Sequence, residues 1–161
     1  MAIPLSIAEF LRDKPYTPLA HRTVFTAQEE AAVTHVPGRE WAKTVVCFAD
    51  EIPVLAVLPA HYRIDLDRLR RLAGAATIRL ATEPEMAQLY PGCETGAVPP
   101  LGPLYGQRVF VERTIAEDAE IVFHAGTHTD AVRMAYTDLD ALARPMVGEF
   151  GTAPGHPRRS H

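Results

Sequence analysis

Between Trp41 and Ala49 the chain reads WAKTVVCFA, a run of β-branched, aromatic and small apolar residues; after Asp50-Glu51 it continues from Pro53 to Leu58 as PVLAVL. Two apolar runs of strand length joined by a two-residue polar turn predict a hairpin through the core. Helical periodicity follows elsewhere. Pro4–Asp13 is predicted as a short amphipathic helix, with Ser6 as its cap and Ile7, Phe10 and Leu11 on one face. Thr26, with Glu29 three residues on, predicts a capping box and a helix to about Thr34. Asp65 opens a helix that carries Leu66, Leu69 and Leu72 on one stripe and stops at Gly74. Thr82 and Glu85 form a second capping box, leading through Met86 and Leu89 to the stop at Pro91-Gly92.

Tyr16–Arg22 reads as extended. Further strands are predicted at Thr77–Leu80, Gln107–Glu112, Glu120–His124 and Ala131–Tyr136, and a last helix at Asp138–Ala143, capped by Thr137 and closed by Pro145. Strands and helices alternate irregularly around one clear hairpin, which predicts an α+β fold: a mixed β-sheet with helices packed around it, not a doubly wound parallel sheet. From Gly148 onward the chain is rich in Gly, Pro, Arg, Ser and His. The expected organisation is one domain over 1–147 and a flexible tail over 148–161.

A length of 161 residues suits one domain with a sizeable core, and 47% hydrophobic with 22% charged residues is ordinary for a globular protein. Met1–Phe10 lacks the basic region and apolar run of a signal peptide, and no stretch approaches the roughly 18 apolar residues of a membrane span, so a cytoplasmic protein with no membrane partner is expected. A net charge of −4 argues against a broad nucleic-acid-binding surface. The clusters His61-Arg63, Arg68-Arg70-Arg71 and Arg158-Arg159 read first as solvated surface. Cys47 and Cys93, the only two cysteines, form no redox or zinc motif.

One position breaks the hairpin's pattern. Trp41, Lys43, Val45, Cys47 and Ala49 share a strand face, so an otherwise apolar face carries an ammonium. It either snorkels from the sheet edge or points into a site. Two loops add candidate chemistry. GCETGAVPPLGPLYG, from Gly92 to Gly106, has four glycines and three prolines: a rigid connection, or a loop that lets a ligand approach backbone N–H groups. FHAGTHTDAV, from Phe123 to Val132, offers His124, His128 and Asp130, which invite a metal reading but match no zinc motif. The chain shows no nucleophile elbow, no phosphate loop and no dinucleotide fingerprint.

Taken in order, WAKTVVCF, GAVPPLG (Gly96–Gly102) and HAGTHTDAVRM (His124–Met134), preceded by HRTVFTAQEEAA (His21–Ala32), resemble the YbaK/ProX-type aminoacyl-tRNA deacylase family, which includes the editing domain of bacterial prolyl-tRNA synthetases. The likeness covers roughly Pro15 to Pro145. It implies the editing-domain fold and hydrolysis of the ester joining a wrong amino acid to the 3′ end of a tRNA. It implies no cofactor, no metal and no protein nucleophile: water attacks the carbonyl with help from the ribose 2′-hydroxyl. The implied partners are the tRNA acceptor end and an aminoacyl-tRNA synthetase. By the same resemblance Lys43 holds a substrate oxygen and backbone N–H groups around Gly102 stabilise the tetrahedral intermediate, while Thr44, Pro100, Leu101, Gly126 and His128 contact substrate. Members that favour alanyl-tRNA often carry Asn directly after the lysine, where this chain has Thr44. The competing readings are a non-catalytic module binding a metabolite or synthetase surface on the same fold, and a metal-dependent hydrolase on His124, His128 and Asp130.

Overall fold

The computed structural model describes residues 3–20 and 41–154. The expected helix from Thr26 to about Thr34, its capping box, the His21–Ala32 segment and the Arg158-Arg159 pair lie outside the described residues. The first helix is α1 (Leu5–Leu11), with Pro4 at its N-cap. Ser6 therefore sits inside the first turn and does not cap it. Strand β1 (Thr17–Ala20) follows.

The predicted hairpin is β2 (Ala42–Ala49) and β3 (Ile52–Pro59), paired antiparallel from Ala42↔Pro59 to Ala49↔Ile52. Its two-residue turn needs positive φ at both positions, and Asp50 and Glu51 adopt +50° and +61° without being glycines. Neighbouring groups hold them there. Asp50 Oδ1 accepts the N–H groups of Ala76 and Thr77 at 2.9 Å each, and the Glu51 carboxylate accepts from Arg79 at 3.0 Å. After β4 (Arg63–Ile64) comes α2 (Leu66–Ala73), capped as expected by Asp65, which accepts from Arg68 N–H, and stopped by Gly74 in the left-handed region. Next are β5 (Ile78–Leu80) and α3 (Glu83–Leu89), the latter with both hydrogen bonds of the Thr82–Glu85 capping box. A 3₁₀ turn over Gly102–Tyr105 leads into β6 (Arg108–Glu112), α4 (Arg113–Ala116), β7 (Glu120–Thr127) and β8 (Asp130–Ala135). Helix α5 (Tyr136–Ala143) starts directly from β8 with Ala135 at the N-cap, so Thr137 lies within its first turn and is not the cap.

Five strands form a mixed sheet in the order β5-β2-β3-β6-β9, where β9 is Met146–Gly148; β3, β6 and β9 are mutually parallel and the other pairings antiparallel. A second sheet, β1-β8-β7, is antiparallel. A parallel bridge between Trp41 and Val122 sets β7 beside the start of β2. Alternation divides each strand between two apolar cores. Ala42, Val46, Leu55 and Val57 face the larger one, with Ile7, Leu11, Val109, Phe123 and Leu139. Cys47, Val54, Ala56 and Leu58 face the smaller one, beneath Leu69 of α2. This is the mixed α+β architecture expected from the pattern. Among the described residues no helix is long and apolar enough to cross a membrane.

The boundary at 147 needs correction. Gly148 ends β9, and β10 (Gly151–Thr152) pairs antiparallel with β4. Phe150 is fully buried in the smaller core. Its N–H and that of Gly151 donate to Glu112 Oε1 at 3.2 and 3.0 Å, while Oε2 accepts the N–H and hydroxyl of Thr114. A carboxylate with no solvent exposure is thereby satisfied on both oxygens. Composition suggested a tail from residue 148; one phenylalanine and a distant glutamate make its stretch through Thr152 part of the fold.

Candidate functional site

Lys43 lies on the face of β2 shared with Val45, Cys47 and Ala49, opposite Leu58. Its side chain is half-buried, and Nζ donates to the carbonyl oxygen of Tyr62 at 2.5 Å, in the turn after β3. Burial holds its pKa below the ordinary 10.5, and among the described residues no carboxylate offsets it. An ammonium has three donors, so two remain beyond the one given to Tyr62. The alternation that presents Lys43 sends Thr44 to the opposite face, paired with Val57 of the larger core.

The lysine's face continues onto β7. Across the Trp41–Val122 bridge, the Trp41 ring lies 5.4 Å from His124, whose ring lies 5.5 Å from that of His128. Strand β7 runs on past its expected end at His124 through an irregularity to Thr127, and Gly126 within it has φ +99°. A Cβ there would come within 2.8–2.9 Å of the Pro4 ring, so this turn is seated on the N-terminal helix. It is also joined to the glycine-rich loop. Gly126 N–H donates to Ala97 O at 2.9 Å, and Glu94 N–H donates to Gly126 O at 2.8 Å. His128 N–H donates to Glu94 Oε1 at 2.7 Å, and His128 Nε2 lies 2.8 Å from Thr95 O. Gly96, at φ +86°, presents its bare Cα to the His128 ring, where a Cβ would touch Cε1 at 3.4 Å.

From Gly96 the loop descends into the interior. Pro100 is buried, Leu101 belongs to the larger core, and Gly102 is buried at the start of the 3₁₀ turn. A Cβ on Gly102 would lie 2.3 Å from Gln107 O and 2.4 Å from Val109 Cγ2, so close packing on β6 explains the glycine. Val109 pairs with Leu55, three residues along β3 from Leu58, the partner of Lys43, and one strand further over. At about 3.3 Å per residue and about 4.8 Å per strand, Lys43 and Val109 are roughly 14 Å apart in the sheet and on opposite faces. The structure thus carries Lys43 on β2, Gly126 on β7 and His128 in the turn after it, with Thr44 on the opposite face of β2 and Leu101 and Gly102 buried in the loop that packs on β6. Glu94 and Thr95 carry no sequence signal for their part in the site, because their contacts to His128 span more than thirty residues.

Other chemistry finds less support. Cys47 is fully buried, its thiol pushed up to about 12 by desolvation; Cys93 is raised for the same reason and sits beside the Tyr105 hydroxyl. The Asp130 carboxylate accepts from the Thr127 hydroxyl at 2.6 Å and holds the β7–β8 turn. Among the described residues no three His, Cys, Asp or Glu side chains converge as metal ligands.

A sequence model of the aminoacyl-tRNA editing domain matches residues 21–142. The chain is 34% identical over 134 residues to the proline–tRNA ligase of Nitratidesulfovibrio vulgaris strain Hildenborough, covering 76% of this chain and 22% of the ligase. It is 28% identical over 109 residues to the proline–tRNA ligase of Streptococcus gordonii strain Challis, covering 68% of this chain and 17% of that one. The chain therefore spans about a fifth of the length of these relatives. Its fold matches the crystal structure of a proposed trans-editing enzyme for prolyl-tRNA synthetase with a TM-score of 0.78 at 23% identity, over 92% of this chain and 98% of that one. With the motif order, the fold and the family match in agreement, the chain belongs to the aminoacyl-tRNA editing domain family.

Proposed function

We propose that this protein is an aminoacyl-tRNA deacylase that acts in trans, hydrolysing the ester of a mischarged tRNA without a metal or a protein nucleophile. The observation that carries the reading is Lys43: a partly desolvated ammonium on a strand face, tethered by a hydrogen bond to Tyr62 O and, among the described residues, opposed by no carboxylate. In such a setting its attraction for a substrate oxygen is stronger than in bulk water. Water attacks the ester carbonyl; a C–O bond forms to water and the bond to the ribose 3′-oxygen breaks. The vicinal 2′-hydroxyl relays the proton from the attacking water to the departing 3′-oxygen, and the Lys43 ammonium stabilises the oxygen that gains charge. The products are the free amino acid and a tRNA with its 3′-hydroxyl restored. His128, fixed against Thr95 and Glu94, bounds the space for the aminoacyl group.

Correction by hydrolysis suits small amino acids, because a synthetase pocket rejects a smaller or equal-sized side chain only weakly by binding alone. The acidic net charge of −4 confines tRNA recognition to the acceptor end. The test is a panel of mischarged tRNAs incubated with this protein alone, with and without EDTA. Rapid deacylation of one or a few of them, unchanged by the chelator, is the expected result. Loss in EDTA would point to a metal hydrolase, and no deacylation of any tRNA would leave a binding module.

A further inference from the structure

The contacts that fix His128 also decide which of its nitrogens carries a proton. Thr95 O is a carbonyl oxygen and can only accept, so the 2.8 Å contact requires a proton on Nε2 of His128. In the neutral ring Nδ1 then bears the lone pair and is the acceptor. The backbone at this position is held separately: Glu94 Oε1 takes the His128 N–H at 2.7 Å, while Glu94's own N–H takes Gly126 O. One residue thus grips the turn at two points, through its side chain and its main chain. Gly96 leaves room for the Cε1–Nε2 edge of the ring against the loop.

We propose that Glu94 is a positioning residue, which with Thr95 sets His128 so that Nδ1 accepts a hydrogen bond from the α-ammonium of the aminoacyl ester. This rests on the deacylase reading above and names its substrate class. The site takes esters of amino acids with a free α-amino group, and discriminates against esters whose α-nitrogen is acylated or replaced by a hydroxyl. An N-acylated ester offers an amide with at most one N–H and no charge. An α-hydroxy ester offers a neutral donor in place of a charged one, and hydrogen bonds to charged groups are roughly twice as strong. A deacylase built this way spares peptidyl esters while clearing aminoacyl ones.

The full chain is assayed with one aminoacyl-tRNA that it hydrolyses, with the same tRNA N-acetylated, and with its α-hydroxyacyl counterpart. We expect wild-type kcat/KM to favour the free amine by tenfold or more over either analogue. Glu94→Ala should reduce that preference to within threefold, acting mainly through KM for the aminoacyl substrate. Glu94→Gln should restore it, because an amide oxygen still accepts the His128 N–H. A purely structural role for Glu94 predicts equal losses on all three substrates, and that outcome would overturn the proposal. Nitrogen-15 NMR of the wild-type imidazoles gives a readout independent of any variant's folding: the proposal requires His128 to be protonated on Nε2, and an Nδ1-protonated neutral ring would overturn it. A wild type that hydrolyses all three esters alike refutes the α-ammonium contact and leaves the deacylase standing. A wild type that hydrolyses no aminoacyl-tRNA of the mischarged panel removes the deacylase reading itself.

Discussion

Replacing Lys43 with methionine keeps the length and bulk of the side chain and removes one ammonium. Two costs can be worked from the geometry. In the folded protein, Tyr62 O loses its donor, a hydrogen bond whose net worth is about 0.5–1.5 kcal/mol. Half-burial of the charge opposes that loss, since burial disfavours the ammonium and methionine carries no such penalty. The net change in stability should stay below about 1 kcal/mol, which for a domain of this size moves Tm by no more than about 4 °C. In the transition state, by contrast, loss of one preorganised donor costs about 2.7–4 kcal/mol, or roughly 10²- to 10³-fold in rate. Single-turnover deacylation with protein in excess over a mischarged tRNA reads the second quantity, and a thermal melt reads the first. Lys43→Arg should also be slow, because a planar guanidinium cannot occupy the place of a compact ammonium. A lysine that merely snorkelled from the sheet edge would tolerate arginine and would show only a small stability change as methionine. A well-folded Lys43→Met protein with the wild-type rate would therefore remove the central residue of the mechanism.

Four further outcomes can be measured. The enzyme-dependent rate, after subtraction of spontaneous ester hydrolysis, should fall as pH rises through the depressed pKa of Lys43, placing the alkaline limb below 10.5, and Lys43→Met should lack that limb. The stability effect runs the other way: because the folded state disfavours the ammonium, this lysine's contribution to stability grows with pH from its depressed folded pKa up to the unfolded value, readable in denaturant melts. Gly102→Ala should act on the fold, since its Cβ would meet the backbone oxygen of Gln107; a loss of about 3 kcal/mol and a Tm drop of about 6–12 °C are expected, with activity following the folded fraction. Activity lost at an unchanged Tm would return Gly102 to the site. Glu112→Gln keeps the shape but turns one acceptor oxygen into a donor facing donors, so denaturant titration should show a loss of about 2–4 kcal/mol.

Features encoded within a few residues were legible in the sequence. Asp65 and Gly74 bracket α2 as their side-chain chemistry requires, Thr82 and Glu85 close their box, and Asp50-Glu51 marks the hairpin turn. Local signals misled where a neighbouring element took over: Ser6 and Thr137 are good caps in isolation, but Pro4 and the end of β8 start their helices one residue or more earlier. The last strand was hidden because its evidence is remote. Phe150 is a single apolar residue among glycines and prolines, and the acceptor for its N–H lies 38 residues upstream. The site divides in the same way. Period-two alternation finds Lys43, and applied consistently it also puts Thr44 on the other face, against the role implied by its adjacency to the lysine. The clamp of Glu94 and Thr95 on His128 joins positions 33 and 34 residues apart, and no local pattern reports it.

The pairing of β1 with β8 sets Thr17 opposite Arg133, so β1 meets its β8 partner only after most of the chain between them has been made. Glu112 waits likewise for the N–H groups of Phe150 and Gly151. Until then, both a strand edge and a carboxylate destined for the interior stay in water. Sequence separations this large must be closed before the contacts they allow repay the lost chain entropy. The hairpin of β2 and β3 can assemble early on its own, whereas closure of the second sheet and of the smaller core comes last. Chains halted before Asp130 should thus hold the hairpin but leave β1 without its β8 partner, the state in which this protein is most open to strand-mediated aggregation.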